Sequence, residues 1–380
     1  MMQLLVVGLT ALLVATSTAA LSCKDQAGKD VDWFVVYKLP QQVNSKVQLI
    51  KEGTAFLYMD AKTKKDGWKM TTVGIDKTNQ SVAYTLQQVY DNLKSADHFH
   101  MMYNDKHGSS HGEGKEDGDR AHSKGTAVFN QKDGVWLIHS IPGFPPPEAY
   151  GYKEESKKYG QSMMCITFNT TKSLEELSQQ WYRHHLSVYA SKLPLEFIPK
   201  YPLLGEIVAS NPPSSGVSFS RIANLQSKGG LKLTHFAKNR KFDQDLYSKF
   251  VAPELKSNLY VETWLRGLGD LKSGCPIPNL GQTVYNIREV NPAQIRFGSG
   301  NDHSKWAVAE TAAVGYVCIG DINRQSTQFS RGGGTMCFKD ADIYPAYRNS
   351  VMQRELCAEP EVEDGKQKIG SLEFVPPGLY

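Results

Sequence analysis

Apolar and polar positions along this chain follow two different periods, one typical of strands and one typical of helices. The run from Val31 to Pro40 is β-branched and aromatic, and it predicts a largely buried strand that ends at the proline. Between residues 81 and 95, apolar side chains recur at helical spacing and predict a helix that lies on a sheet. Strands that alternate with helices predict an α/β fold with two sheets, each backed by helices.

A second helix and a connecting segment divide the chain. The capping box Ser173-Leu-Glu-Glu176 predicts a helix start. Its inward face is expected to carry Leu174, Leu177, Trp181 and Val188. We expect His184 and His185 on the surface of this helix. Prolines and small polar residues around 195–215 predict a connection between an N-terminal half, 21–200, and a C-terminal half, 201–380.

Three further segments, at 104–121, 243–250 and 331–335, each have a local prediction. Residues 104–121 contain no large apolar residue and predict a mobile loop. A helix is expected at 243–250. The glycine run Arg331-Gly-Gly-Gly-Thr335 is open to two interpretations, a tight turn or a phosphate cradle made of backbone amides.

The first residues of the chain predict a signal peptide. Residues 2–20 form an apolar run that ends in small residues, with cleavage after Ala19 or Ala20. No later segment contains the roughly 18 uninterrupted apolar residues that a membrane span needs. We therefore expect a mature protein in the lysosome or outside the cell.

The cysteines and two asparagines fit that route. Six cysteines, an even number in a chain that enters the secretory pathway, predict disulfides, and the residues alone leave fifteen pairings open. No Cys-x-x-Cys pair is present, which counts against a zinc or redox site. Asn79 and Asn169 each begin a glycosylation motif and are expected at the surface.

The net charge indicates the class of partner. It is +4 with the ten histidines neutral and at most +14 when all are protonated. Most carboxylates remain ionised near pH 5. An acidic compartment would therefore increase the attraction of this protein for a polyanion.

One triplet, His-Ser-Lys, occurs twice, at His122–Lys124 and at His303–Lys305. Each copy precedes an apolar strand, a turn and a second strand. The distance from His122 to His139 is 17 residues, as is the distance from His303 to Gly320. A shared triplet with a shared spacing predicts two related halves.

The triplets supply what phosphodiester cleavage needs. Side chains two residues apart on an extended segment point to the same side, so each imidazole lies beside its ammonium. Two such pairs brought together would provide a nucleophile, a proton donor and two cations for the developing charge. No metal site is predicted, because His98, His100, His107 and His111 are not accompanied by a matching carboxylate or cysteine set. The chain also lacks a Gly-x-Ser-x-Gly, Walker or His-Glu-x-x-His motif.

With these residues in view, the chain resembles the deoxyribonuclease II family, acid endonucleases within the phospholipase D superfamily. The similarity extends over nearly the whole mature chain. Besides the two triplets and the strand at 31–40, it rests on these motifs: Trp136-Leu-Ile-His-Ser140, Phe144-Pro-Pro-Pro147, Tyr159-Gly-Gln161, Phe236-Ala-Lys238 and Gly332-Gly-Gly-Thr335.

The resemblance implies a fold and a reaction. The fold is two pseudo-symmetric phospholipase D-like halves, each a mixed β-sheet flanked by helices, with one active site between them. It further implies cleavage of double-stranded DNA without metal, 3′-phosphate products, and a homodimer as one arrangement that clasps duplex DNA. The implied disulfides are Cys23–Cys165, Cys275–Cys357 and Cys318–Cys337.

The same resemblance suggests roles for individual residues. His122 is assigned as the nucleophile and His303 as the acid, while Lys124 and Lys305 hold the phosphate oxygens. The superfamily motif has a carboxylate after the lysine; this chain has Glu310 there in the second half, and Phe129 in the first. The remaining candidates for binding the phosphate or orienting the histidines are His139, Ser140, Asn323 and Arg331.

Three alternatives remain beside a lysosomal acid endonuclease that degrades DNA from engulfed cells or food. One is an extracellular or venom nuclease with the same chemistry. Another is a catalytically silent DNA-binding relative, which the two intact triplets disfavour. A phospholipid substrate occurs in the superfamily, but the flanking motifs support it poorly.

Overall fold

The computed structural model describes residues 20–109, 114–275, 281–357 and 372–376. Apart from Ala20, the predicted signal peptide lies outside the described residues, as does His111. Within the described ranges, no helix has the length and apolar character to cross a membrane.

The described chain is rich in strands and contains few helices. The strands are β1 Cys23–Lys24, β2 Asp30–Val31, β3 Trp33–Lys38, β4 Phe56–Asp60, β5 Lys69–Met70, β6 Phe99–Tyr103, β7 Gly125–Phe129, β8 Asp133–His139, β9 Gln161–Asn169, β10 Val188–Lys192, β11 Ser220–Gln226, β12 Lys232–Lys238, β13 Leu259–Glu262, β14 Val284–Val290, β15 Phe297–Gly298, β16 Trp306–Ala309, β17 Tyr316–Gly320, β18 Gly333–Lys339, β19 Val351–Glu355 and β20 Leu372–Phe374. The helices are α1 Gln48–Lys51, α2 Ser81–Tyr90, α3 Glu154–Lys157, α4 Thr170–His184, α5 Leu203–Val208, α6 Ala252–Leu255 and α7 Ile343–Arg348. A π-helical segment, Tyr247–Val251, precedes α6. Short 3₁₀ turns lie at Lys64–Asp66, Leu195–Phe197, Arg240–Phe242, Pro292–Gln294, Ser299–Asn301 and Ser326–Gln328.

The strands form two large sheets, one from each half of the chain. The N-terminal sheet has eight strands in the order β10-β6-β7-β8-β9-β3-β4-β5, and the C-terminal sheet has ten, in the order β11-β12-β18-β17-β16-β13-β14-β19-β20 with β15 beside β14. The pairs of the N-terminal sheet are all antiparallel, so the prediction of a mixed sheet in each half is wrong for that half. In the C-terminal sheet, β13 and β14 form the one parallel pair among the described strands. Hairpins and antiparallel returns replace the long helical crossovers that parallel neighbours require.

The two sheets pack face to face, and the largest apolar core lies between them. Along β3, Trp33, Val35 and Tyr37 belong to this shared core, whereas Phe34 and Val36 belong to a second core on the outer face. Aromatic rings join the sheets directly, with centroids 6.4 Å apart for Trp33 and Phe338 and 6.2 Å apart for Tyr37 and Trp306. The two His-Ser-Lys triplets directly precede β7 and β16. One close-packed core therefore fixes the strand ends next to both triplets.

Several local predictions need correction. Helix α4 begins at Thr170 instead of at the capping box, and Val188 belongs to β10. His184 is buried, because its spacing from Trp181 continues the inward face of α4. The predicted helix at 243–250 is displaced to the π-helical segment and α6. The glycine run is not a tight turn: β18 begins at Gly333, and a Cβ on Gly334 would lie 2.2 Å from the Phe236 carbonyl oxygen of the neighbouring strand.

The three disulfides implied by the resemblance are confirmed. Cys23–Cys165 ties the N-terminal strand to β9, and Cys318–Cys337 joins paired residues of β17 and β18. Cys275–Cys357 forms the third bridge. Asn79 is exposed and Asn169 is partly exposed, so both can be reached at the surface, and their glycosylation stays a prediction.

Candidate active site

The first His-Ser-Lys triplet lies on extended chain immediately before β7. The Lys124 ammonium donates to the carbonyl of His122 over 2.8 Å, which keeps the two side chains on the same side. Both side chains are almost completely withdrawn from bulk solvent. The backbone N–H of His122 donates to the carbonyl of Gly332, just before β18, over 2.9 Å.

The second triplet repeats this arrangement before β16. The Lys305 ammonium donates back to the carbonyl of His303 and lies 3.1 Å from its Nδ1. The backbone N–H of His303 donates to the carbonyl of Gly160, just before β9, over 2.8 Å. The rings of Trp264 and Tyr159 pack against the imidazole, with centroids 4.7 and 6.4 Å away.

Each imidazole is oriented by a backbone carbonyl from the opposite half. Nδ1 of His122 bonds to the carbonyl of Asp321, which follows β17, and Nδ1 of His303 lies 3.2 Å from the carbonyl of Ser140, which follows β8. A carbonyl can only accept, so the contact with Asp321 favours a proton on Nδ1 of His122. At His303 the Ser140 carbonyl favours a proton on Nδ1, whereas the Lys305 ammonium can only donate and lies 3.1 Å from the same nitrogen, which opposes it. In neutral His122 the Nδ1 proton leaves Nε2 with its lone pair free for chemistry.

The two histidines meet in one cavity of about 270 Å³. His122, Lys124, His303 and Arg331 line it together, which joins residues from both ends of the chain. Lys305 lies behind His303 and is fully buried. The cavity therefore has two imidazoles and the cations of Lys106, Lys124 and Arg331 on its walls, together with three carboxylate residues, Asp105, Glu116 and Asp117. The cations next to the imidazoles suit an anion with one reactive centre.

A carboxylate that the sequence did not reveal, Asp105, also lines this cavity. Its oxygens lie 2.6 Å from Nζ of Lys124, 3.3 Å from Nη2 of Arg331 and 3.8 Å from Nε2 of His122. Burial raises the pKa of Asp105, but Lys124, His122 and Arg331 outweigh burial and hold it below its usual range. Asp105 is thus an anion placed among the cations of the site.

The environment disfavours protonation of both imidazoles. Burial lowers the pKa of His122 well below its usual value, and Lys124 lowers it further, while Asp105 opposes them. Burial also lowers the pKa of His303, followed by Lys305 and Lys124, while the hydrogen bond with the Ser140 carbonyl opposes them. The same effect reaches Lys305, whose pKa burial and Lys124 lower well below the usual range. Lowering the pH therefore adds positive charge to the two imidazoles of the site.

Further buried carboxylates surround the site. Burial raises the pKa of Asp321 to about 6, although its Oδ1 accepts the Gly334 N–H over 2.8 Å. Asp302 accepts hydrogen bonds from the Tyr37 hydroxyl and the Ser304 N–H, and burial raises its pKa too. Within the described residues, no group of three or more His, Cys, Asp or Glu side chains is arranged to hold a metal ion.

The structure does not bring Glu310 to the histidines. It follows the far end of β16, where its carboxylate accepts from Asn258 Nδ2 over 2.8 Å and from the Tyr260 hydroxyl over 3.3 Å. Arg354 lies 3.5 Å from the same carboxylate. The expected orienting role of Glu310 is instead filled by backbone carbonyls.

Of the other candidate residues, Arg331 lines the cavity, whereas Ser140 and His139 lie behind its lining. Arg331 lines the cavity, while its guanidinium also donates to the carbonyls of Arg120 and Ala121. The Ser140 hydroxyl donates to Gln161, so Ser140 contacts His303 through its backbone alone. His139 is buried below the site, with its pKa lowered to about 3 by burial.

Asn323 does not line the cavity. Its side-chain oxygen accepts the N–H of Trp264 over 3.3 Å, and its amide donates to Gln325 over 3.3 Å. Asn323 therefore supports the loop that carries Trp264 onto His303.

Comparison with known proteins shows similarity along almost the whole chain. The family model described as deoxyribonuclease II matches residues 22–357. Plancitoxin-1 of Acanthaster planci is 38% identical over 352 residues, which cover 92% of this chain and 96% of that protein. Cell death-related nuclease 6 of Caenorhabditis elegans is 39% identical over 365 residues, covering 92% of this chain and 93% of the other. Deoxyribonuclease-2-beta of Mus musculus is 34% identical over 343 residues, with 90% and 94% covered.

Proposed function

Because this chain belongs to the deoxyribonuclease II family, we propose that it is an acid endonuclease that hydrolyses phosphodiester bonds of double-stranded DNA. The observation that carries the proposal is the meeting of His122 and His303 in one cation-lined cavity. Two imidazoles on one phosphate are enough for displacement and proton transfer without a further catalytic group.

In the proposed first step, Nε2 of His122 attacks the phosphorus and the bond to the 5′-oxygen breaks. His303, protonated on Nε2, gives its proton to that oxygen, and the 3′-phosphoryl group stays on His122. In the second step, His303 takes a proton from water, the water oxygen bonds to phosphorus, and the bond to His122 breaks. The product ends in 3′-phosphate, and no metal takes part in either step.

The positions of the lysines support this scheme. Lys124 and Lys305 each accompany one histidine, so negative charge on the phosphoryl oxygens would meet a cation on both sides. The carbonyl of Asp321 favours a proton on Nδ1 of His122, which leaves Nε2 of that ring free to attack the phosphate. In protonated His303 the Nδ1 proton faces the Ser140 carbonyl, and the Nε2 proton is the one available for transfer.

The depressed pKa values supply a reason for acid activity. The reaction needs one neutral and one protonated imidazole, and burial beside lysines keeps both rings neutral near pH 7. The pair can take up one proton on either ring; Asp105 favours the proton on His122, and the form that reacts is the one with the proton on His303. Lowering the pH therefore creates the required imidazolium. The two rings titrate as a coupled pair, so a pH optimum reports the pair.

We also propose that the two halves are related by pseudo-symmetry of the phospholipase D kind, divided near residue 200. The support is a matching order of four strands, in which β6-β7-β8-β9 of the N-terminal sheet corresponds to β13-β16-β17-β18 of the C-terminal sheet. A hairpin continues each sheet at the same edge, but β3 pairs with β9 through its first strand and β18 pairs with β12, the second strand of its hairpin. Each histidine also takes its carbonyl partner from the equivalent position of the other half.

The proposal also covers the compartment in which the protein acts and its oligomeric state. A signal peptide and glycosylation at Asn79 and Asn169 fit a lysosomal enzyme that degrades DNA of dying cells, and the name of the nematode relative, a cell death-related nuclease, agrees with that use. A secreted enzyme of the same chemistry is the alternative, and a homodimer is one arrangement that would hold duplex DNA.

Plasmid cleavage at pH 5 in the presence of EDTA tests the proposal. Wild type should nick the plasmid and leave 3′-phosphate ends, which block a polymerase until a phosphatase removes them. His122→Ala and His303→Ala should each lose the activity, while Glu310→Gln is the control that keeps it. Cutting that depends on a metal would contradict the mechanism, and a wild type that binds DNA without cutting would identify a silent relative.

A further inference from the structure

A second cavity lies beside the catalytic one and has no role in the proposed reaction. It measures about 110 Å³ and is formed where β11 begins and β12 ends, with Phe219, Arg240 and Lys241 on its rim. Pro212, Pro213 and Val217 add apolar lining. We call it the flank pocket.

The two cavities share a wall. Gly332 lines the flank pocket, and its carbonyl accepts the backbone N–H of His122. Arg120 also lines the flank pocket, and its carbonyl accepts from Nε of Arg331, which lines the catalytic cavity. The flank pocket therefore lies next to the backbone that carries His122 and Arg331.

The basic residues of the segment at 238–241 have different roles. The Lys238 ammonium is buried and donates to the carbonyls of Gln328, Phe329 and Arg331, so it is a structural cation. Arg240 and Lys241 are exposed, and neither has an ion-pair partner among the described residues. The lining also contains Arg120 and one carboxylate, Asp119, so the cations outnumber the anions and favour an anionic ligand.

The rim also offers an apolar face. Phe219 is 49% exposed, and its backbone carbonyl accepts from the N–H of Asn239 over 2.9 Å. That hydrogen bond fixes Phe219 next to Arg240. An aromatic ring beside cations is the combination that binds a stacked base together with its backbone phosphate.

We propose that the flank pocket binds a nucleotide adjacent to the cleaved bond, with its phosphate on Arg240 and Lys241 and its base or sugar against Phe219. This inference rests on the proposed action on DNA. The pocket contacts the phosphate and the flat face of the base or sugar, and these differ little from one nucleotide to another. It therefore adds affinity with little dependence on base sequence. It also explains how a single strand is aligned across the two histidines.

Binding and cleavage are measured separately to test the flank pocket. Binding of a fluorescent DNA duplex is followed by anisotropy in the His303→Ala background, over a series of salt concentrations at pH 5. Adding Arg240→Ala and Lys241→Ala should weaken binding about tenfold or more and reduce the slope of log K against log salt by about one to two. Adding Phe219→Ala should weaken binding about fivefold to tenfold without changing that slope.

The matched control removes two other exposed charges of the same half, Lys249 and Lys256, which line neither cavity. In the otherwise native enzyme, Arg240→Ala with Lys241→Ala should raise KM for DNA but leave hydrolysis of bis(p-nitrophenyl) phosphate unchanged, because that diester is too small to span the wall. A salt slope and affinity equal to those of the Lys249→Ala, Lys256→Ala control would overturn the flank pocket. Failure of wild type to cleave DNA would instead count against the proposed function, since the binding measurement does not depend on turnover.

Discussion

Replacing Asp105 by asparagine removes a negative charge while preserving the shape of the side chain. The carboxylate lies 3.8 Å from Nε2 of His122 and helps to retain a proton there. Two unit charges at that distance interact with about 4 kcal/mol when the effective dielectric constant is about 20. The cavity admits water, so about one to three kcal/mol is the expected effect on protonation of the ring.

That loss should be visible in the pH dependence of cleavage. Without Asp105 the pKa of His122 falls, so a neutral nucleophile persists to lower pH. The acid limb of the plot of kcat/KM against pH should then move to lower pH by about one to two units, because each pH unit corresponds to about 1.4 kcal/mol. The assay is plasmid nicking in a series of buffers from pH 3 to pH 8 at constant ionic strength.

Two variants make the result specific. Asp105→Glu keeps the charge and should restore most of the native profile, whereas Asp97→Asn removes an exposed carboxylate elsewhere in the same half and should leave the profile unchanged. A profile of Asp105→Asn that stays in place, or that moves to higher pH, would refute the electrostatic coupling between Asp105 and His122.

Four further outcomes follow from the same geometry. Lys305→Met should lower kcat for DNA about a hundredfold or more, as loss of one charge-stabilising donor does in other hydrolytic sites, while a melting curve stays close to native. Glu310→Gln should keep kcat within about twofold and change only the free energy of unfolding, by about 1 kcal/mol, because the carboxylate pairs with Asn258 and Tyr260. Wild-type activity should fall steadily from pH 5 to pH 8 in the plasmid assay, since burial and Lys305 keep the pKa of His303 low and the imidazolium is lost as pH rises. Trp181→Ala should cost about 3 to 5 kcal/mol in chemical denaturation, because this ring is fully buried in the core between the sheets.

The position of both triplets at the start of a strand could be predicted from local sequence patterns. An apolar strand followed each His-Ser-Lys, and β7 and β16 begin at the residue after each lysine. The polar residues that close the next strand, Ser140 and Asp321, indeed lie beside the histidines, although through their carbonyls. Every residue type has a backbone carbonyl, so contacts of this kind could not be predicted from the sequence.

Long-range geometry explains what the pattern missed. Glu310 matched the motif spacing, but strand β16 extends by about 3.3 Å per residue and carries it to the opposite end from His303. Asp105 precedes His122 by a polar loop, and only the pairing of β6 with β7 brings it back to Lys124. One signal was available for His184, which continues the spacing of Leu174, Leu177 and Trp181 on the buried face of α4.

A crystal soaked with tungstate, a phosphate analogue with strong anomalous scattering, tests most directly whether both histidines act on one phosphorus. We predict a single anomalous peak in the cavity, with tungstate oxygens at hydrogen-bonding distance, about 2.7 to 3.2 Å, from Nε2 of both His122 and His303. An analogue bound to only one of the two triplets, with the other histidine out of reach of its oxygens, would contradict the shared site.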